Sequence, residues 1–247
     1  MKRYLLRDAA RNLRSHAKLR YAIAVARKLG GIIPRRCNLC GYEGLFHASG
    51  APPRYDAECL GCSSRERQRL LGLLMDKRPD LVRGHIVHFA PEDALKGPIA
   101  DRGESYRTAD IAMPGCDLRL DLMKLDLPDS SVDTFVANHV LEHVRDDTQA
   151  LRELFRCLKP GGHVLLMVPI AEGWDRTYEN PAIALEGSDL DREVHFGRTD
   201  HVRYYGADFP DRIVAAGFEL ETFTATGAEC AAWHLIPGEK VFIARKP

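Results

Sequence analysis

The chain has 247 residues, enough for one full hydrophobic core with a smaller domain beside it. Its 45% hydrophobic and 28% charged residues are typical of a soluble globular protein. No run of about 18 apolar residues is present, so the sequence predicts no transmembrane segment. The net charge of zero hides an asymmetry, because residues 1–83 hold 18 Lys or Arg against 7 Asp or Glu, and the remainder holds 17 against 28.

Residues 1–36 form the first predicted unit, a basic helical segment. Small and apolar side chains recur there at helical spacing, and Gly30-Gly31 ends the pattern. The positions that share this face are Leu6, Ala10, Leu13, Ala17, Ala24 and Lys28. The segment lacks the apolar core and cleavage site of a secretory signal, so we expect a cytoplasmic protein. A helix packed on the domain, a contact with a phosphate-bearing partner such as RNA, and a mitochondrial transit peptide remain alternatives.

Residues 37–83 form the second predicted unit, a zinc ribbon with a connecting helix. Cys37 and Cys40 are separated by two residues, as are Cys59 and Cys62, and eighteen residues lie between the pairs. Two such knuckles can direct four thiolates at one zinc ion, which would be structural because no coordination position stays open. Disulfides are the alternative, disfavoured by the expected reducing compartment.

Arginines are frequent in and after this ribbon. Either they form a recognition surface for nucleic acid, or they are a solvated basic face of an ordinary structural module. The arginines concerned are Arg35, Arg36, Arg54, Arg65, Arg67 and Arg69. A helix is predicted after Ser63-Ser64, with its leucines from Leu70 to Leu74 packed inward.

Residues 121–170 predict a strand, a helix and a second strand. Val132 to Ala137 is a short β-branched run that suits a buried parallel strand, and Val164 to Val168 is another. Between them, Asp146 and Asp147 open a predicted helix that Pro160-Gly161-Gly162 is expected to stop. The apolar face of that helix consists of Leu151, Leu154, Phe155 and Leu158. The pattern indicates a βαβ crossover of a doubly wound α/β sheet.

Three short motifs in this region carry a resemblance. LPDSSVD (127–133), NHVLEHV (138–144) and LKPGG (158–162) follow one another within about fifty residues, in the order seen in the second half of class I S-adenosylmethionine-dependent methyltransferases. The resemblance covers residues 84–247 and implies a Rossmann-like, seven-stranded methyltransferase sheet, S-adenosylmethionine as cofactor and an EC 2.1.1.- activity. The segment from Cys59 to Arg69 also resembles the ribbon that precedes some bacterial methyltransferase domains. A doubly wound domain with another ligand is the alternative.

The resemblance also implies a set of cofactor-binding residues. His85 to Phe89 is the expected first strand, and the turn after it departs from the family pattern, with His88 in place of the usual acid and Ala90 in place of the first glycine. Asp110 is expected to accept the ribose hydroxyls and Asp121 to meet the adenine amino group. The complete expected set is His88, Phe89, Ala90, Pro91, Asp110, Ile111, Asp121, Leu122, Asn138 and His139.

The catalytic groups are expected in the loop after the fifth strand. Residues 171–200 read as polar and irregular, and loops of that length are often functional. We predict His201 as general base in preference to His143, with Arg203 and Tyr205 orienting the acceptor. A polar surface loop is the alternative. A helix at 208–217 and strands at 218–223 and 240–245 complete the expected fold, with the last two strands as an antiparallel hairpin.

Three functional hypotheses remain at this stage. The first is a methyltransferase for a small-molecule or saccharide acceptor. The second is an RNA methyltransferase that grips phosphate through the basic amino-terminal third, although the acidity of residues 84–247 argues against extensive RNA contact there. The third is a non-catalytic nucleic-acid or protein adaptor that kept the fold, and the presence of Asp110 and Asp121 argues against it.

Overall fold

A computed structural model describes residues 34–50 and 53–247, so the predicted basic helix of residues 1–33 lies outside the described residues. In chain order the strands are β1 (Arg35–Arg36), β2 (Glu43–Gly44), β3 (Phe46–Ser49), β4 (Arg54–Cys59), β5 (His85–Phe89), β6 (Ser105–Asp110), β7 (Leu118–Arg119), β8 (Val132–Asn138), β9 (Leu158–Met167), β10 (Tyr178–Glu179), β11 (Arg203–Tyr204), β12 (Glu219–Phe223) and β13 (Val241–Arg245). The helices are α1 (Glu66–Lys77), α2 (Asp93–Ala100), α3 (Asp147–Cys157), α4 (Pro181–Glu186), α5 (Asp189–Phe196), α6 (Phe209–Ala215) and α7 (Gly227–Trp233). None of these helices combines the length and apolar content needed to cross a membrane.

Seven strands form one sheet in the order β7-β6-β5-β8-β9-β13-β12. The strands from β5 to β9 pair in parallel, whereas β13 is antiparallel to both β9 and β12. This is the predicted class I methyltransferase arrangement, including the final antiparallel hairpin. The predicted strands are present, because buried parallel strands are apolar on both faces and stand out in the sequence. Their ends are shifted by only a residue or two, except that β9 begins at Leu158, six residues before the predicted start.

Helices cover both faces of this sheet, so alternate side chains of one strand enter different cores. Val87 packs with α3 and α6 on one face, through residues such as Leu154 and Phe209. Its neighbour Ile86 packs with α1, α2 and α7 on the other face, through residues such as Leu70. Helix α1, predicted as part of the ribbon unit, therefore shares a core with the sheet.

Helix α3 begins where the sequence predicts and ends earlier. The carboxylate of Asp146 accepts a hydrogen bond from the Gln149 amide at its start. The helix ends at Cys157, before Pro160-Gly161-Gly162, because Leu158 already pairs with Val132 as the first residue of β9. Pro160 follows the C-cap residue Leu158 by two positions, where proline commonly follows the end of a helix, as predicted.

Residues 171–200 are more ordered than predicted. Strands β10 and β11 pair antiparallel and enclose α4 and α5, and the whole insertion runs from 171 to 205. Asn180 and Ser188 cap the two helices, and Phe196 is fully buried under Tyr178. The expectation of an irregular loop is therefore wrong, because each helix has at most eight residues and is too short to show clear periodicity.

The ribbon consists of two small hairpins, β1 with β2 and β3 with β4, closed against α1. Helix α1 approaches the first cysteine knuckle at Gly72, where an added Cβ would come within 2.5 Å of Leu39. A residue without a side chain at that position permits this close contact.

Arg69 of α1 joins the ribbon to the sheet domain. The residue is fully buried, and its guanidinium donates to four carbonyl oxygens: Ala57 at 3.0 Å, Ser64 at 2.6 Å, Trp233 at 3.0 Å and His234 at 2.8 Å. Two of these carbonyls belong to the ribbon side and two to the end of α7. The buried guanidinium therefore donates to carbonyls of the nearby ribbon and also to carbonyls about 165 residues later in the chain than Arg69.

We expect Arg69→Ala to lower the free energy of unfolding by at least about 3 kcal/mol, because each buried carbonyl left without a donor costs about 1–3 kcal/mol. Denaturant unfolding followed by circular dichroism measures this loss. Arg78→Ala is the matched control, since that side chain is 39% exposed, pairs with Asp80, and should cost at most about 1 kcal/mol. Equal losses in the two variants would contradict the assigned role of Arg69.

His88, a residue of β5, is fully buried. Its Nδ1 atom lies 2.9 Å from the Tyr106 hydroxyl, and burial lowers the pKa of the imidazole to about 3, with Lys96 as a minor contributor. The folded protein therefore holds this ring neutral, whereas the unfolded chain protonates it below a pKa of about 6.5.

Because of His88, we expect the free energy of unfolding to decrease as the pH falls. Its lowered pKa stabilises the fold fully above about pH 6.5, and that contribution is lost as the pH falls towards about 3. Between about pH 7 and pH 5, His88→Gln should lose about 2 kcal/mol less than the parent. Urea unfolding of both proteins at the two pH values tests this. Parallel losses would show that His88 is not the group responsible.

Candidate active site

The candidate site lies where β5 and β8 end side by side. The chain leaves β5 for β6 on one side of the sheet and later returns to β8 on the other side. In open α/β sheets, the loops diverge at such a switch point and leave a crevice at the carboxyl ends of the strands. Most of the predicted site residues follow strands β5, β6 and β8, so they reach this edge.

The turn after β5 brings backbone to the crevice. Ala90 adopts a left-handed conformation (φ +43°), and its amide donates to the Ala109 carbonyl at 3.0 Å. Phe89 is a core residue beside Phe135, and Pro91 is also buried. The structure therefore places the side chains of His88 and Phe89 inside the fold, and the backbone around Ala90 is what this turn presents.

Two aspartates follow the next strands. Oδ1 of Asp110 accepts from the amides of Ala112 and Met113, both at 2.7 Å, and Oδ1 of Asp121 accepts from the Met123 amide at 2.9 Å. Each carboxylate is thus fixed through one oxygen. Both residues are partly exposed.

The apolar neighbours of these aspartates differ in exposure. Leu122 is buried in the core, whereas Ile111 is 55% exposed beside Asp110. Ile111, and not Leu122, therefore offers exposed apolar surface at this edge.

At the end of β8, several polar side chains each have one buried atom without a hydrogen-bond partner among the described residues. The amide of His139 donates to the Met167 carbonyl at 2.7 Å, and the residue is held in a left-handed conformation (φ +53°). Its Nδ1 atom lies 3.3 Å from Oε1 of the buried Glu142. The other polar atom of each side chain, Nε2 of His139 and Oε2 of Glu142, is buried with no hydrogen-bond partner among the described residues, as is Oδ1 of Asn138.

Such unpartnered atoms concentrate at this edge of the sheet. Glu239 belongs to them, because it precedes β13, whose amino end lies beside the carboxyl end of β9. Burial raises the pKa of the Glu239 carboxyl. Eight buried side-chain atoms lack a partner in the described part of the chain, and six belong to residues of this edge: His88 Nε2, Glu92 Oε2, Asn138 Oδ1, His139 Nε2, Glu142 Oε2 and Glu239 Oε2. Buried polar groups are nearly always paired, so this concentration marks a ligand site.

The two candidate bases lie side by side. The rings of His143 and His201 meet edge to face with centroids 4.8 Å apart. His201 is buried, and burial lowers the pKa of its imidazole. Their ring nitrogens and a carboxylate oxygen of Glu142 lie within 4.8 Å of one another. Glu142 was not among the site residues predicted from the sequence, and its spacing of three from His139 was the available signal.

Arg203 and Tyr205 use their polar atoms in hydrogen bonds within the protein. The Arg203 guanidinium donates to the carbonyls of Leu141, Val144 and Arg145 and to the Glu179 carboxylate. Tyr205 is fully buried and donates its hydroxyl to Asp147 at 2.8 Å, a carboxylate that Arg212 also contacts. Their polar atoms hold the insertion to the turn after β8. Tyr205 has no exposed surface, which corrects the prediction that it orients an acceptor, whereas Arg203 also lines the cavity beside the insertion and its role stays a prediction.

A cavity of about 310 Å³ lies between the insertion and the turn after β8, beside the sheet edge. Its lining combines charged, amide and apolar side chains: Arg145, Asp146, Glu179, Asn180, Pro181, Ala184, Leu185, Val202 and Arg203. Asp110 and Asp121, which are expected to contact the cofactor, do not line this cavity. The cavity therefore suits an acceptor better than the cofactor.

The four ribbon cysteines come together as their spacing predicts. The Sγ atoms of Cys37 and Cys62 are 3.7 Å apart, as are those of Cys40 and Cys59, and all four lie within 4.8 Å of one another. Two thiolates at 2.3 Å from one tetrahedral zinc ion are about 3.8 Å apart. The donor set and its spacing therefore fit zinc.

The ribbon arginines are largely committed to internal ion pairs. Arg35 contacts Asp56 at 2.7 Å, Arg54 contacts Glu66 at 2.8 Å, and Arg65 lies 3.5 Å from Glu58. Arg36 lies 3.4 Å from Glu43 on an exposed surface. These pairs reduce the net positive charge that a nucleic-acid recognition surface would need, whereas the exposed side chains of Arg36, Arg54 and Arg65 remain compatible with a solvated face of a structural module.

Two hydrogen bonds connect helix α1, which follows the ribbon, to the turn after β5, called the cofactor turn below. Arg67 and Gln68 both donate to Oε1 of Glu92, at 3.2 and 2.9 Å. Glu92 lies two residues after Ala90. The first turn of α1 is therefore in contact with the segment that approaches the cofactor site.

Comparison with known proteins places this fold and segment in context. Residues 103–166 match the family described as a methyltransferase domain. The ubiquinone/menaquinone biosynthesis C-methyltransferase UbiE of Caulobacter vibrioides is 33% identical over 125 residues, covering 46% of this chain and 49% of that protein. A probable S-adenosylmethionine-dependent methyltransferase of Mycolicibacterium smegmatis is 31% identical over 125 residues, covering 48% and 43%. The chain thus spans about half the length of the curated relatives it matches.

A solved structure supports the fold independently of close sequence similarity. The S-adenosylmethionine-dependent methyltransferase from Mesorhizobium loti aligns with a TM-score of 0.50 at 19% identity, over 71% of this chain and 97% of that one. The strand order, the matched segment and these relatives agree. The chain therefore has the class I methyltransferase fold, and its residues 103–166 match the methyltransferase domain family.

Proposed function

We propose that the protein transfers a methyl group from S-adenosylmethionine to a small-molecule acceptor. The observation that carries this proposal is the set of six unpartnered polar atoms at the carboxyl edge of the sheet. A bound molecule with hydroxyl, amino and carboxylate groups would supply the missing partners. When bound, S-adenosylmethionine supplies an electrophilic methyl group on a sulfonium centre.

Different residues would bind the ribose and the adenine of the cofactor. Asp110 retains an oxygen for ribose hydroxyls, since only Oδ1 is used by the turn, and Ile111 offers an apolar contact beside it. Asp121 is suited to accept from an adenine amino group, and Asn138 and His139 line the crevice after β8. This assignment remains a proposal for each residue.

A small acceptor is favoured over RNA for three reasons. The ribbon arginines are paired with carboxylates, and residues 84–247 carry an excess of acidic side chains. The cavity beside the insertion is of a size that suits a small molecule. The similar proteins from Caulobacter are named for quinone biosynthesis, which also points to small acceptors. A saccharide belongs to the same class and suits the polar lining of the cavity.

The binding proposal predicts that Asp110→Asn lowers affinity for S-adenosylhomocysteine at least about tenfold. Loss of one charged hydrogen bond is worth about 1.5–3 kcal/mol, and about 1.4 kcal/mol corresponds to a factor of ten. Asparagine keeps Oδ1, so the amides of Ala112 and Met113 retain their acceptor. Isothermal calorimetry measures the change, and Asp101→Asn, an exposed aspartate at the end of α2, is the control. Unchanged affinity in Asp110→Asn would place the ribose elsewhere.

We further propose that the ribbon holds one structural zinc ion through Cys37, Cys40, Cys59 and Cys62, in a cytoplasmic, reducing setting. All four positions would be filled by thiolates, so no position is open for catalysis. Zinc would order the knuckles that pack on α1, and α1 contacts Glu92 beside the cofactor turn.

Metal removal should therefore weaken two properties together. A chelator, or Cys59→Ser, should lower the thermal unfolding midpoint and also weaken S-adenosylhomocysteine binding, because Arg67 and Gln68 lose their fixed position. Cys116→Ser, outside the cluster, is the control. Metal analysis should find about one zinc per chain in the parent. A metal-free preparation with the same midpoint and the same affinity would contradict this role.

A further inference from the structure

Glu142, His143 and His201 form a second group of metal-ligating side chains, far from the ribbon in sequence. One ligand atom from each lies within 4.8 Å of the other two. Glu142 and His201 are buried, and His143 has 33% of its side chain exposed. The group therefore sits at the rim of the crevice, with one face towards solvent.

The hydrogen bonds of His143 select the tautomer that a metal ligand needs. Its Nδ1 atom lies 2.8 Å from the backbone carbonyl oxygen of Asp200, so this nitrogen must donate a proton. Nε2 then carries the free lone pair. Metal-binding histidines commonly donate their second ring nitrogen to a backbone carbonyl in this way. No hydrogen bond from another described residue engages the His201 ring.

Glu142 supplies the observation that points to a cation. The residue is 1% exposed, and of its two carboxylate oxygens only Oε1 has a polar partner, His139 Nδ1 at 3.3 Å. Oε2 is buried with no partner in the described part of the chain. A buried carboxylate oxygen without a donor is costly, and a cation at that oxygen removes the cost.

The backbone around these three residues is held in place before any ligand binds. The Val202 amide donates to the Glu142 carbonyl at 2.9 Å, and Arg203 donates to the carbonyls of Leu141, Val144 and Arg145. These bonds tie the turn after β8 to the segment that carries His201. A ligand set on two segments is therefore preorganised by a third, buried group.

We propose that Glu142, His143 and His201 bind one divalent transition-metal ion, whose open coordination positions take oxygen atoms of the acceptor. Two histidines and one carboxylate leave such positions open, unlike the four thiolates of the ribbon. Ligands at 2.0–2.2 Å from one ion are about 3.0–3.5 Å apart, so the side chains would close by at most about 2 Å on binding. The acceptor part of this inference rests on the proposed methyl transfer, whereas the metal site itself does not.

Manganese binding to the full-length, zinc-loaded protein tests the site directly. Mn²⁺ stands below Zn²⁺ in the affinity order of divalent metals, so it should leave zinc in the thiolate site. Loss of the free Mn²⁺ signal in electron paramagnetic resonance should show one bound ion per chain, with zinc content unchanged before and after. Glu142→Gln and His143→Gln should each weaken binding at least about tenfold, the lower limit for changes in outer-shell partners alone.

His85→Gln is the matched histidine control, because that ring is exposed and bonded to Ser105 at the opposite edge of the sheet. It should bind Mn²⁺ like the parent. His143→Gln protects the test against misfolding, since this side chain is partly exposed and its loss should leave the unfolding midpoint unchanged. Absence of Mn²⁺ binding in the parent, or parental affinity in both variants, would overturn the proposal.

Calorimetry with S-adenosylhomocysteine on the same preparations separates this inference from the proposed function. Cofactor binding without Mn²⁺ binding would reject the metal site and leave the methyltransferase proposal intact. Mn²⁺ binding without cofactor binding would reject the methyltransferase proposal and support the metal site.

Discussion

The buried guanidinium of Arg69 is the interaction on which the relation between the two parts of the molecule depends. A cation with no exposed surface is tolerated only where its donors are satisfied, and here backbone carbonyls at Ala57, Ser64, Trp233 and His234 satisfy them. Because these carbonyls come from the ribbon and from the end of α7, neither part can move away without exposing unpaired groups. The ribbon is therefore built into the domain.

This attachment gives the ribbon a route to the cofactor turn. Arg54 holds Glu66 at the start of α1, and the next two residues, Arg67 and Gln68, reach Glu92. Ordering of the cysteine knuckles thus fixes the position of residues next to Ala90. A structural metal can in this way influence ligand affinity without touching the ligand, through contacts between rigid elements.

The sequence predicts the sheet well and the insertion poorly, for physical reasons. Strands β5, β8 and β9 are apolar on both faces, so they are visible without knowledge of their neighbours. Arg203 and Tyr205 look like surface residues, yet partners about 60 residues earlier in the chain bury them. Their roles depend on long-range hydrogen bonds that no local pattern encodes. The cysteine spacing is local, and it alone placed four sulfurs together.

The turn after β5 departs from the pattern of the family that the sequence resembles. His88, neutral because burial lowers its pKa, replaces the acid usual in β5, and Ala90 accepts a left-handed conformation that glycine adopts more easily. Carboxylates then reach the edge from other elements: Glu92 after the turn, Glu142 after β8 and Glu239 before β13. Arg67 pairs with Glu92 and burial raises the pKa of Glu239, so Glu142 is the carboxylate of this edge best suited to pair with a cationic ligand. A sulfonium donor and a divalent metal ion both meet that requirement, and each would pair with oxygens that the chain alone leaves unsatisfied.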